Sequence, residues 1–315
     1  WDLGPTASPR SALLSRSATR HGGPMRTIIV GVDGSEPSDQ ALRWAVREAE
    51  LHGAEVHAVL TWGLLDQHHP DGASRFDDAY DRFHAEAALD SYVTKAVGSS
   101  PAVSITLRPI NDLPARGLVD AAADEDDLLV LGSRGRGGFT GLLLGSVSQQ
   151  CLHHATSPVA IIRAGAELPN HQPGRIVVGV DGSDTARRAL EWAAEEARVR
   201  GAQLEVVHTW QIPYAGGYPY ALGAPDLDQI EIAARAGLDE IVDALDETRL
   251  VEPARRTVSS GDPAAVLLDV AQAADLLVLG SRGVGGFKGL LLGSTAHHVV
   301  HHATCPVVVV PQQDG

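Results

Sequence analysis

Leu128-Leu129-Val130-Leu131-Gly132-Ser133-Arg134-Gly135, closed nine residues later by Gly145-Ser146, decides the fold, and it occurs twice. The second copy is Leu276-Leu277-Val278-Leu279-Gly280-Ser281-Arg282-Gly283, closed by Gly293-Ser294 at the same spacing. An apolar run of this length bounded by glycine reads as a buried strand. The segments beginning at Ser146 and Ser294 read as helices. A glycine-rich connection between a strand and a helix N-terminus is a place where backbone N–H groups gather around an anion. Glycine there permits positive φ or a close approach of phosphate to the backbone.

Working outward, an offset of 148 residues superimposes nearly everything from Arg26 onward. Ile28-Ile29-Val30-Gly31-Val32-Asp33-Gly34-Ser35 matches Ile176-Val177-Val178-Gly179-Val180-Asp181-Gly182-Ser183. A repeat of domain size indicates duplication, not a solenoid. In the first copy the pattern predicts strands at 27–32, 56–60, 103–107, 128–131 and 159–162. Helices are predicted at about 37–51, 75–97 and 115–123 and from Ser146, with a polar loop over 63–74. The second copy follows the same order, with a Gly-, Pro- and Tyr-rich loop over 211–226. Alternating strands and helices imply parallel sheets covered on both faces. The fold class expected is therefore α/β, as two tandem doubly wound, Rossmann-like five-stranded sheets of order 3-2-1-4-5. The ligand crevice of such a sheet lies where the winding reverses, between strands one and four. The boundaries expected are a disordered or vector-derived leader over 1–24, domains over 25–164 and 175–315, and a linker over 165–174.

Composition narrows the function. The 315 residues carry a formal charge of −15, with 21% charged and 44% hydrophobic residues. Such a balance fits a globular chain and argues against nucleic acid or an anionic membrane as partner. No apolar run approaches the ~20 residues that span a bilayer. The leader holds three arginines against Asp2, a local +2 that leaves −17 elsewhere. Cys151 and Cys305 are not equivalent in the two copies and form no metal or disulfide spacing, so buried thiols in a reducing cytoplasm are expected.

No Walker A loop is present, and Lys288 has Thr140 as its counterpart. No dinucleotide GxGxxG is present either, and the loop follows the fourth strand instead of the first. A different phosphate loop and a structural turn both remain open on glycine count and position. Asp33 and Asp181 end the strand beside the loop; each suits a ligand contact or a turn carboxylate capping the Gly-Ser after it.

G-x2-G-x9-G-[ST] after a fourth strand, with V-D-G-S ending the first, resembles the universal stress protein family, in its tandem ATP-binding form. The resemblance covers nearly all of residues 26–311. It implies ATP between strands one and four, with magnesium on its phosphates. By this resemblance Asp33 and Asp181 hydrogen-bond the ribose or adenine end. Gly132, Gly135, Gly145 and Ser146, like Gly280, Gly283, Gly293 and Ser294, contact ribose and phosphates. Thr61 and Thr209 lie where backbone meets adenine, and Arg134 and Arg282 add positive charge. The first copy departs at Leu113-Pro114-Ala115-Arg116, aligned on Gly261-Asp262-Pro263-Ala264, which lowers the affinity expected of its site.

His297/His301 and His298/His302 are spaced to share helix faces. Zinc needs further ligands and an enclosed site, so a histidine-rich helix end facing the dipole is expected, without metal. The function expected is regulatory ATP binding with two sites per chain. The alternatives are a slow ATPase or phosphotransferase, and an interaction scaffold with empty sites. Apolar fifth strands, 158–162 and 306–310, are expected to pair the two repeats, with further pairing of chains a second expectation.

Overall fold

The computed structural model describes residues 25, 27–73, 75–136, 143–163, 165, 174–211, 226–245, 250–285 and 292–312. The first repeat contains β1 (Thr27–Gly31), α1 (Glu36–His52), β2 (Glu55–Trp62), α2 (Arg82–Val97) and β3 (Ile105–Asn111). It continues with α3 (Pro114–Ala121), β4 (Leu128–Gly132), α4 (Ser146–His154) and β5 (Val159–Ile162). The second contains β6 (Arg175–Val180), α5 (Asp184–Arg200), β7 (Gln203–Trp210), α6 (Leu227–Asp243) and β8 (Arg255–Ser260). Then come α7 (Pro263–Val270), β9 (Leu276–Gly280), α8 (Ser294–His302) and β10 (Val307–Val310).

The strands form one sheet of order β3-β2-β1-β4-β5-β10-β9-β6-β7-β8. Each half has the order 3-2-1-4-5 and is parallel throughout, with β1 between β2 and β4. The halves join through an antiparallel pairing of β5 with β10, Val308 opposite Ala160. Thus the apolar fifth strands satisfy each other within one chain, and the sheet edges are β3 and β8.

Strand alternation sorts the core into two layers. Ile28, Val30, Leu128 and Val130 face α1 and α2, while Ile29, Leu129 and Leu131 face the side of α3 and α4. Ile28 to Val30 are completely buried, each aliphatic side chain contributing about 1.5–3 kcal/mol. Helix boundaries follow local chemistry. Ser35 Oγ accepts from Ser38 N at the start of α1, and Gly53, at φ 64°, closes it. Ser183 and Gly201 do the same for α5.

Three sequence expectations shift. Helix α2 starts at Arg82 and not near 75, because Asp81 and His84 form a capping box there. Strand β3 runs over Ile105–Asn111, later than 103–107, and accommodates Pro109 because it is a sheet edge. The repeat offset is also not constant. Trp62 faces Asn111 as Trp210 faces Ser260, so the third strands are offset by 149.

Asp112-Leu113-Pro114-Ala115, not the sequence one residue later, is therefore the counterpart of Gly261-Asp262-Pro263-Ala264. Leu113 holds the N-cap position of α3 and makes no side-chain cap, whereas Asp262 Oδ1 accepts from Ala265 N at 3.0 Å. Leu113 is 71% exposed, so Leu113→Asp gives up little burial. We expect it to stabilise the first repeat by about 1 kcal/mol, read as a higher urea midpoint.

Candidate functional site

The cavity of the first repeat lies at the switch point. It is about 500 Å³, within the range of small-ligand pockets. Asp33, Thr61, Gly132, Arg134, Gly135, Gly145 and Ser146 all line it, so the geometry brings together all seven first-copy residues singled out in the sequence. Pro114 and Leu118 of α3 add an apolar wall.

Asp33 is the hinge of this arrangement. Its Oδ1 accepts from Ser35 N (3.0 Å) and Ser35 Oγ (2.6 Å), which makes the turn into α1. Its Oδ2 accepts from Arg136 N across 103 residues at 2.8 Å, tying the glycine loop to the end of β1. The second copy repeats the pattern: Asp181 Oδ1 accepts from Ser183 N at 3.1 Å and Oδ2 from Val284 N at 2.8 Å. The turn reading of these aspartates holds, and each in addition ties its glycine loop to the strand end. Asp33 Oδ1 has both lone pairs engaged, whereas Asp33 Oδ2 and both oxygens of Asp181 keep a second lone pair for a ligand donor.

Gly132, Gly135, Gly280 and Gly283 are required by close approach, not by positive φ. None of Gly132, Gly135, Gly145, Gly280, Gly283 and Gly293 has φ above zero. A Cβ on Gly132 would lie 2.7 Å from the Pro37 carbonyl carbon, and one on Gly280 2.9 Å from that of Thr185. These glycines let α1 and α5 pack on the loops. A Cβ on Gly135 or Gly283 would instead lie 2.5 or 2.2 Å from the carboxylate of Asp33 or Asp181. Gly145 N and Gly293 N donate to Ser133 O and Ser281 O, both at 2.7 Å, folding the loop ends back to the strand.

Helix α4 begins at Ser146 with Gly145 as N-cap and no side-chain cap, as α8 begins at Ser294 after Gly293. By contrast α1, α2, α5, α6 and α7 are each capped by Ser or Asp. Ser146, Val147 and Ser148 line the cavity, so the first-turn N–H groups and the positive end of the helix dipole face it. Ser148 is buried and its Oγ donates to Gly132 O at 2.8 Å, fixing helix to strand.

Sequence reasoning missed Ser38, Asp66, His68 and Arg136, which also line the cavity. The loop expected to be merely polar folds inward, with His68 and His69 buried. Arg136 Nη1 donates to Tyr92 Oη (3.1 Å) and His68 Nδ1 (3.2 Å), and Nη2 to Gly72 O (3.0 Å). Since arginine only donates, His68 accepts at Nδ1 and carries its proton at Nε2, 3.4 Å from Asp66 Oδ1. Burial raises the Tyr92 phenol, so it stays protonated and donates to His69 O. Arg136 thereby ties the glycine loop to the loop over the cavity. Val284 is its counterpart in the second copy, exposed on the surface, where only the backbone N–H does the equivalent work.

In the second copy Thr209 is half-buried near the end of β7, opposite Ser259. The Arg282 carbonyl accepts from Thr185 Oγ1, and its Nη1 donates to Gln312 Oε1 at 2.8 Å. Asp181, Gly280, Gly283, Gly293 and Ser294 hold the same places as their first-copy partners. The middle of each glycine loop, 137–142 and 286–291, and most of the 211–226 loop, the linker and the leader fall outside the described residues.

The histidine pairs share helix faces as expected, with ring centroids 4.4 Å apart for His297–His301 and 4.5 Å for His298–His302. Burial, then neighbouring histidines, lower His153 and His301, so these two stay neutral. The group of three converging ligands found among the described residues, Glu48, His52 and Glu196, includes none of these helix-end histidines. Cys151 and Cys305 are buried free thiols, pushed up by burial to about 12 and about 11, and so are inert. No described helix is long and apolar enough to cross a membrane.

Fold and site together define a tandem doubly wound α/β protein, in which an aspartate and an uncapped helix face a cavity between strands one and four. Residues 24–163 and 173–311 each match the universal stress protein family, and the chain belongs to it. It is 33% identical over 303 residues to a universal stress protein of Mycolicibacterium smegmatis, covering 94% of this chain and 98% of that one. It is 34% identical over 291 residues to one from Mycobacterium tuberculosis, covering 90% and 95%. The crystal structure of a universal stress protein from Archaeoglobus fulgidus shares the fold with a TM-score of 0.64, at 21% identity, over 92% of this chain and 99% of that one.

Proposed function

We propose that this chain is a regulatory nucleotide-binding protein of the stress response, with ATP as ligand and one site in each repeat. The observation that carries this reading is the uncapped N-terminus of α4, opening onto a cavity whose other side holds Asp33 and Thr61. Phosphate oxygens suit the free N–H groups of Ser146 to Ser148 and the guanidinium of Arg134. Asp33 suits a hydroxyl or amine of the nucleoside, and Val32, Val59, Leu118 and Leu131 supply apolar walls for a flat base. Magnesium would be held through the phosphates. The second repeat keeps the same backbone ties at Asp181, Gly283 and Gly293, which supports a second site.

Ligand occupancy regulates by favouring one arrangement of the glycine loop and the loop over the cavity, which Arg136 couples in the first repeat. Both oxygens of Asp33 already serve the turn and the loop, so its role is positioning, and hydrolysis is not the function assigned. The chain supplies its own partner at the β5–β10 pairing, so association between chains would use other surfaces. A cytoplasmic place agrees with two buried free thiols. Radiolabelled ATP under single-turnover conditions tests the reading: ATP retained without conversion supports it. Turnover that disappears in Asp33→Ala or Asp181→Ala would replace it with an enzymatic one.

A further inference from the structure

Where α1 and α5 meet across the join of the two repeats, four ionisable side chains are enclosed. Glu48 and Glu196 are each 2% exposed and occupy equivalent places, 148 residues apart. His52 and Arg200 are likewise equivalent, with side chains 5% and 8% exposed. Arg200 Nε donates to Glu196 Oε1 at 2.5 Å, and Arg200 Nη2 lies 2.7 Å from Glu48 Oε2, an ion-pair distance without hydrogen-bond alignment. His52 Nε2 lies 2.9 Å from Glu196 Oε2.

Glu48, His52 and Glu196 converge as metal ligands do, but the Arg200 guanidinium already stands among them as the cation. The strands beneath the join, Val159–Ile162 and Val307–Val310, bring only apolar side chains. Two carboxylates and one guanidinium leave one uncompensated negative charge in a buried place. Such a charge is removed by taking up a proton.

We propose that the join between the repeats encloses one buried proton, seated on Glu48 and not on its counterpart Glu196, and that losing it as pH rises loosens the join. The pseudo-symmetry is broken because Glu196 has two basic partners, Arg200 aligned on one oxygen and His52 on the other, whereas Glu48 faces the misaligned Arg200 and the Glu196 carboxylate itself. Burial raises Glu48 well above the usual carboxylate range; Arg200 opposes this and the Glu196 charge adds to it. Burial would raise Glu196 too, but Arg200 and then His52 outweigh it and hold it at about 2. A raised folded value means that the protonated join is most stable below the ordinary carboxylate range. It weakens up to the folded value of Glu48, while Glu196 adds a loss only as pH falls toward 2. Helices α1 and α5 run from this join to Ser35 and Ser183 beside the two glycine loops, so the join lies one helix length from each cavity.

Amide hydrogen exchange of the full chain, corrected for the intrinsic pH effect, tests this at β5 and β10. Measured upward from the ordinary carboxylate range, opening should rise by up to about tenfold per pH unit until Glu48 has ionised. Glu48→Gln should be flat, and Glu196→Gln should also be flat but more open throughout. pH-difference infrared spectra supply a second readout: a protonated-carboxyl carbonyl band should be lost as pH rises. Opening in the wild type that does not change with pH above the ordinary carboxylate range, or no protonated-carboxyl band that Glu48→Gln removes, would overturn the proposal.

Discussion

Gly135→Ala should weaken ATP binding at the first site by about tenfold or more while leaving the backbone path intact. Gly135 does not occupy the left-handed region, so alanine meets no conformational strain there. Its Cβ would instead lie 2.5 Å from Asp33 Oδ2, and the carboxylate must swing away. That breaks the 2.8 Å bond from Arg136 N and moves the oxygen that we propose meets the ligand. A hydrogen bond to a charged group contributes about 1.5–3 kcal/mol, so a tenfold loss is the lower end. Gly132→Ala is the control. Its clash is with the Pro37 backbone, which cannot step aside, so we expect loss of stability by about 1–3 kcal/mol instead of a selective loss of affinity. Calorimetric ATP titration beside chemical denaturation separates the two. Equal affinity in Gly135→Ala and wild type would mean that Asp33 serves the loop alone.

The second large effect lies far from the cavities. Arg200→Met should destabilise the chain by about 3–5 kcal/mol, because Glu48 and Glu196 are left buried without their common cation. Replacing Glu48, Glu196 and Arg200 together by apolar residues of similar volume should restore most of that loss. Taking charges out of water costs about as much as their pairing returns. Urea midpoints of the single and triple variants provide the comparison. If Arg200→Met costs no more than an exposed arginine would, the four side chains are not the closed network described.

The glycine loops made the fold legible because they combine two independent constraints. Leu128 to Leu131 had to be a buried strand, and Gly145-Ser146 had to start a helix; repetition at 148 residues fixed the count of strands. The cavity was legible for the same reason, since strand order alone places Asp33 beside Gly135. Why Gly132 and Gly135 are there was not legible: packing on Pro37, and room for a carboxylate, exist only once α1 and the Asp33 turn are in place. His68 and Arg136 were hidden because a polar loop gives no period from which inward folding can be read. Glu48 and Glu196 gave no sequence signal, since their burial comes from a helix 148 residues away and not from anything local. The shifted start of α3 escaped because a constant offset was assumed through a stretch where the repeats differ by one residue.

ATP held in both repeats is the central claim, and it is tested most directly by denaturing the freshly purified chain and quantifying any nucleotide released. Saturation of the emptied, refolded chain with ATP completes the measurement. The account predicts unmodified ATP, with a stoichiometry approaching two per chain at saturation and falling to one when Gly283→Val closes the second site. No released nucleotide, together with no ATP bound by the refolded chain at millimolar concentration, would contradict it.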